Sequence, residues 1–195
     1  MVYRWRRIVS VILAAGAVVA TAGVGRAQSD NQLVTYHGVD FPAQFAQGQR
    51  ISTRDYEPTN PGLGFSAGYR HRGAISTVYL YDLRLPAIPD DLRADLVTRQ
   101  FEQAKGDIHR AQPAGATIAS KGTFTIADAG KRPRLTCEGF ALQRSSADAP
   151  LDSYLCLGVA KGKFLKVRTT MPQSQTSQAE VRRFIGAWVA AIWKS

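Results

Sequence analysis

Apolar and polar positions alternate with two different periods along this chain, and the change of period marks the elements. Leu63, Phe65, Ala67 and Tyr69 recur every second residue, the period of a half-buried strand. Residues 74–82 are rich in β-branched and aromatic side chains and read as the partner strand, ending at Asp82. Pro61-Gly62 before them is a type II turn signal, because proline presets the first central position and glycine accepts the positive dihedral of the second. A loop at His71-Arg72-Gly73 would pair Tyr69 with Ile75 and Phe65 with Tyr79. The period then lengthens. Leu92, Leu96, Val97, Phe101, Ala104 and Ile108 form one stripe of an amphipathic helix, with Asp90 as its expected N-cap and Pro113 and Gly115 beyond its end.

Residues 117–127 read as a hairpin turning at Lys121-Gly122, and 128–133 as a turn. Three antiparallel strands follow across 134–170 and contain both cysteines, Cys137 and Cys156. Facing the two cysteines across a pair also sets Gly139 against Tyr154 and Phe140 against Ser153, with the loop near Ser145–Asp148. The next connection has two alternatives, and the choice turns every side chain over. A two-residue loop at Lys161-Gly162 sets Leu157 against Lys166. A three-residue loop, Lys161-Gly162-Lys163, pairs Leu155 with Thr169, Leu157 with Val167 and Val159 with Leu165, leaving one continuous apolar face. The apolar match selects the longer loop. The opposite face would carry small residues such as Gly139, Ala141 and Gly158, inviting close approach of another element. From about Ser177, Val181, Phe184, Ile185, Trp188, Val189 and Ile192 share a helical face suited to covering a sheet.

These elements predict an α+β domain over 61–195: an antiparallel sheet of about six strands, a helix after the first hairpin and a C-terminal helix packed on the sheet. Residues 28–60 are polar and without period, an irregular lead-in holding at most one strand. Residues 1–27 read as a signal peptide. Arg4, Arg6 and Arg7 precede an uncharged apolar run, and Gly25-Arg26-Ala27 offers small residues for cleavage after Ala27. An uncleaved segment would instead tether the protein to a membrane. Export implies a periplasmic or secreted protein, and two cysteines at matched strand positions in that compartment imply a disulfide. Closing a loop of about 20 residues stabilises by roughly 3 kcal/mol.

Charge changes the picture little. The whole chain carries a net +10, and the segment 1–27 takes away four arginines and no acids, leaving 21 basic against 15 acidic residues, a net +6. No basic run is interleaved with stacking aromatics, so nucleic acid is not an expected partner. His37, His71 and His109 lack a second ligand at metal-site spacing, and no metal or cofactor is expected. Gly64-Phe-Ser66-Ala-Gly68 has the letters of a nucleophile elbow, but Ser66 lies inside an alternating strand. The candidate polar site is Asp55, Glu57 and Asp82, carboxylates on a loop and a strand end that would meet near one sheet edge. No catalytic constellation is assigned.

The order hairpin, helix, antiparallel strands and closing helix over residues 60–194 resembles the PsbP-like and DcrB-like exported domains. Asp55-Tyr-Glu57, Pro61-Gly-Leu-Gly64, Val78-Tyr-Leu-Tyr-Asp82 and Asp152-Ser-Tyr-Leu-Cys156 are similar to segments of small uncharacterised secreted bacterial proteins. The resemblance implies an antiparallel sheet with helices on both faces and a non-enzymatic accessory role, binding an unidentified protein or envelope component. The alternative is a small envelope hydrolase working through the three carboxylates.

Overall fold

The computed structural model describes residues 32–174 and 177–194; the expected signal peptide lies outside them. Among the described residues ten strands and two helices follow one another. They are β1 (Val34–Tyr36), β2 (Val39–Phe41), β3 (Gln44–Phe45), β4 (Gly48–Asp55), β5 (Phe65–His71), β6 (Ala74–Tyr81), α1 (Asp95–Arg110), β7 (Thr117–Ala127), β8 (Pro133–Gln143), β9 (Leu151–Ala160), β10 (Lys163–Pro172) and α2 (Gln178–Ile192). Eight strands form one antiparallel sheet in the order β3-β4-β5-β6-β10-β9-β8-β7, and β1 and β2 pair separately. The class is α+β, with a sheet larger than the six strands expected.

The extra strands come from the segment expected to be irregular. β4 pairs with β5 from Gln49↔Arg70 to Asp55↔Phe65, and β3 closes that edge. Its sequence looked aperiodic because most of β4 is exposed, so the ladder is held by backbone hydrogen bonds and not by an apolar stripe. The reverse error occurred at Lys121-Gly122. There the chain does not turn: β7 is one strand with a shift between Ser120 and Thr123, Gly122 supplying a left-handed residue. Helix α1 starts five residues later than Asp90. Asp91 folds its own turn by accepting the Arg93 amide, and Asp90 binds Arg132 and Arg134 at 3.2 and 3.1 Å. Helix α2 begins as expected, with Ser177 and Glu180 forming a reciprocal capping box.

Cys137 pairs with Cys156, Gly139 with Tyr154 and Phe140 with Ser153, and the cysteines are disulfide-bonded. The Pro61-Gly62 turn also stands, with Gly62 at φ +93 and the Leu63 amide donating to Asn60. The other hairpins differ by one residue. Both use two-residue loops, Arg72-Gly73 and Lys161-Gly162, with all four residues at positive φ. Paired left-handed residues match the twist of the flanking strands, which a longer loop would not need. Hence Tyr69 faces Ser76, Leu157 faces Lys166, and Val167 faces Cys156.

The slip is tolerated because the sheet has two covered faces. On one, Trp188, Phe184 and Val181 of α2, with Val39 and Phe41 of β2, pack on Tyr69, Val78, Leu165, Val167 and the disulfide. Trp188 is 0 % exposed, its ring centroid 4.3 Å from that of Phe45 and 5.4 Å from that of Tyr69. On the other, Val97, Phe101, Ala104 and Ile108 of α1 pack on Leu155, Leu157, Val159 and Phe164. The small residues of the cysteine face admit neighbours from within the sheet. A Cβ on Gly158 would lie 2.0 Å from the Arg134 carbonyl oxygen, and the Tyr154 ring lies against Gly139.

Two stability measurements follow. Replacing both cysteines by alanine should cost about 3 kcal/mol in urea unfolding, and alkylation should modify the pair only after reduction. Gly158→Ala should cost about 3 kcal/mol, since the added methyl can only be housed by moving β8; an unchanged unfolding midpoint would contradict this strand register.

Candidate functional site

The three expected carboxylates do gather at one end of the sheet, where β4, β6 and the β1–β2 turn meet. Tyr36 reports it. Burial, followed by the charges of Glu57, Asp55 and Asp82, pushes its hydroxyl up to about 12. Each acid is nevertheless occupied in holding backbone. Glu57 accepts the amides of Gly62 and Gly64 at 2.8–3.0 Å and so fastens the turn before β5. Asp55 accepts the amide of Glu57 at 3.0 Å. Asp82 accepts the Arg84 amide at 2.8 Å and pairs with Lys163 at 2.6 Å. Burial alone would raise the Asp82 carboxyl, but Lys163 and the Arg84 amide outweigh it and hold the group below its ordinary range.

The histidines occupy separate places. His37 lies in the β1–β2 turn, and His109 sits near the end of α1 with its ring edge toward Phe140. His71 stacks on Phe184 at 4.0 Å, and its Nε2 meets Ser76 Oγ at 2.8 Å, which in turn meets Thr169 Oγ1 at 2.6 Å. Ser76 and Thr169 are 0 % exposed, so this chain of hydroxyls can reach no substrate. Burial lowers the His71 ring, against the opposing pull of Glu180. Among the described residues no three of His, Cys, Asp and Glu converge as a metal site. Ser66 is in mid-strand, its Oγ 3.4 Å from the Tyr56 hydroxyl.

The most distinctive chemistry lies elsewhere, on the sheet face beside α1. Directly opposed residues share a face. Arg54, Ser66, Tyr79 and Lys166 form one cross-strand row, and Ser52, Gly68, Thr77 and Arg168 the next. Helix α1 covers this face over β8, β9 and β10 and reaches Tyr81 at the end of β6, where Gln100 donates to the Tyr81 hydroxyl at 3.0 Å. Over β4, β5 and the Ile75–Thr77 part of β6 no described helix packs, and Ile75 remains 40 % exposed there. The result is a half-open face with a floor of serine, glycine and threonine, cations at its rim, and Lys166 and Arg168 against the flank of α1.

Those two cations lack acids. Lys166 forms no ion pair among the described residues, and its Nζ instead lies 4.4 Å from the centre of the Tyr79 ring and 5.3 Å from that of Tyr81. Burial lowers its ammonium to about 8; Asp107 opposes this and Arg168 adds to it. Arg168 Nε is inaccessible to solvent and has no hydrogen-bond partner among the described residues. Asp107, whose charge bears on both, is already bonded by Arg110. An arrangement of this kind attracts an anion. Sequence reasoning passed over it because the longer β9–β10 loop put Lys166 on the other face. The visible signal was Phe164-Leu-Lys-Val-Arg, where a strand at the sheet centre carries a cation at every second position.

No protein-family model matches the chain, and no curated protein matches it.

The Lys166 assignment makes stability depend on pH. Its folded pKa lies below its unfolded value, so between about 8 and 10 the unfolded chain binds more protons and folding is favoured as pH rises. The buried tyrosines act in the opposite direction only above about pH 10. Lys166→Met should therefore stabilise the fold by about 1 kcal/mol at pH 7 and flatten the rise between pH 8 and 10 in urea unfolding. A destabilised variant with the same pH profile would contradict the assignment.

Proposed function

We propose that the protein is an exported binding domain, without catalytic chemistry of its own, that engages an envelope component through the half-open face over β4, β5 and β6. The observation that carries this reading is the face itself: a sheet otherwise covered on both sides leaves Ser52, Arg54, Arg70 and Ile75 exposed around a small polar floor. The disulfide is compatible with an extracellular or periplasmic location, and none of the described helices is long and apolar enough to cross a membrane. The layer order, a helix on each side of an antiparallel sheet, is what the resemblance to PsbP-like and DcrB-like domains implies, and it supports an accessory role as part of the same proposal.

One observation favours the alternative, an envelope hydrolase: Asp55, Glu57 and Asp82 all act on Tyr36, so they lie near one another. Against it, each accepts backbone amides, and Asp82 is neutralised by Lys163. A general acid needs a raised carboxyl, whereas that of Asp82 is lowered.

Retention of an envelope component on the immobilised exported protein should be lost when Arg54 and Arg70, both exposed at the rim, are reversed to glutamate. Retention equal to that of the unaltered protein would contradict the proposed face. Turnover of a cell-wall or glycan substrate that disappears in Asp82→Asn would replace the binding reading with the hydrolytic one.

A further inference from the structure

The half-open face has a more specific feature than its positive charge. Lys166 and Arg168 are two residues apart on β10, on the same face, so their Cα atoms lie about 7 Å apart. Across the β6–β10 pair Arg168 stands opposite Thr77, and Lys166 opposite Tyr79. Both cations are half-buried, which strengthens any electrostatic contact they make. Asp107, the carboxylate acting on them, is committed to Arg110, while Arg144 adds a further positive charge near Arg168. The site therefore carries an excess of two or more positive charges. A carboxylate would leave part of it uncompensated, whereas a dianion balances the two unpaired cations. A tetrahedral oxyanion also offers acceptors in several directions, for the Arg168 guanidinium, the Lys166 ammonium and the Thr77 hydroxyl together.

We infer that Lys166 and Arg168 form a binding site for a phosphate dianion, the phosphoryl group of a small ligand lying over Thr77 toward the floor made by Ser66 and Gly68. The inference rests on the half-open face being the binding surface, and it names the chemistry recognised there. The groups facing Lys166 are Asp107 of α1, Arg168 of β10 and the two tyrosines Tyr79 and Tyr81 of β6. A bound dianion would supply the counter-charge that Asp107 does not.

Calorimetric titration of the exported protein with inorganic phosphate at constant ionic strength and pH 7 tests this. One saturable site is expected, with acetate at least tenfold weaker. Lys166→Met and Arg168→Leu should each weaken phosphate at least tenfold, with melting temperatures confirming that both variants fold. Thr77→Val, a change of one hydroxyl, should weaken it by a smaller factor. Affinity should fall as the pH passes from about 8 to 10 and Lys166 loses its proton. Glycerol phosphate binding like inorganic phosphate identifies a small soluble ligand. Binding only to vesicles containing phosphatidic acid, with no response to either soluble phosphate, overturns the inference. So does phosphate binding that survives in both the Lys166→Met and the Arg168→Leu variants. Retention of an envelope component through Arg54 and Arg70 without phosphate binding would remove this site and leave the wider binding reading in place.

Discussion

The backbone at Lys161-Gly162 decides which face of the sheet every side chain of β10 occupies. Both residues are left-handed, with φ of +53 and +71, and together they close the β9–β10 hairpin in two residues. For lysine that conformation costs about 1–2 kcal/mol. The cost is offset because β10 lies in the interior of the sheet, paired on both sides, with Leu165 and Val167 against α2 and the disulfide. One further residue in that loop would exchange the two faces. Lys166 and Arg168 would then enter the cluster around Trp188, and Leu165 and Val167 would face α1. The register and the candidate site are thus one structural fact.

The two faces are used differently. Helix α2 and the β1–β2 hairpin close one side with a dense group of aromatics, and the disulfide lies beneath them between β8 and β9. Helix α1 closes only half of the other. The polar remainder is not an accident of one residue, since Ser52, Ser66, Gly68 and Thr77 on three adjacent strands are all small or hydroxylic. The sheet's free edges are protected by other means. β3 is two residues long, and β7 is bent by the bulge at Gly122 with Lys121 drawn to Asp152. A half-buried pair of cations without an ion pair stands out beside the other buried charges, Arg50, Glu138 and Asp152, each of which is bonded. Departures of that kind mark sites where stability has been given up for recognition.

Much of this was legible in the residues. The cysteine register followed from parity, because only one pairing brings Cys137 and Cys156 together. The Pro61-Gly62 turn and α2 were equally plain, since a turn dipeptide and a 3.6-residue stripe are local signals. What escaped were the features set by tertiary context. β4 was lost because an exposed strand beside the sheet edge has no apolar period, although it pairs with β5 from Gln49 to Asp55 around a bulge at Ile51. Asp90 looked like a helix cap, but Arg132 and Arg134, more than forty residues away, claim its carboxylate. The β9–β10 hairpin was misjudged by preferring a single continuous apolar face, whereas a sheet covered on both sides accepts apolar residues on each. That one assumption hid Lys166. The acidic trio, expected near a sheet edge, lies around Tyr36 where β4 and the interior strand β6 end, and its members hold backbone amides, a role that sequence spacing does not reveal.

The candidate site depends most on Lys166 being a half-buried ammonium that no carboxylate pairs among the described residues. Nuclear magnetic resonance of the lysine side chains, followed against pH and assigned with the Lys166→Met variant, measures that directly. In the free protein one lysine should titrate near 8, well below the others, and saturating phosphate should move that titration upward. A Lys166 that titrates with the remaining lysines and does not respond to phosphate would contradict both the register and the site.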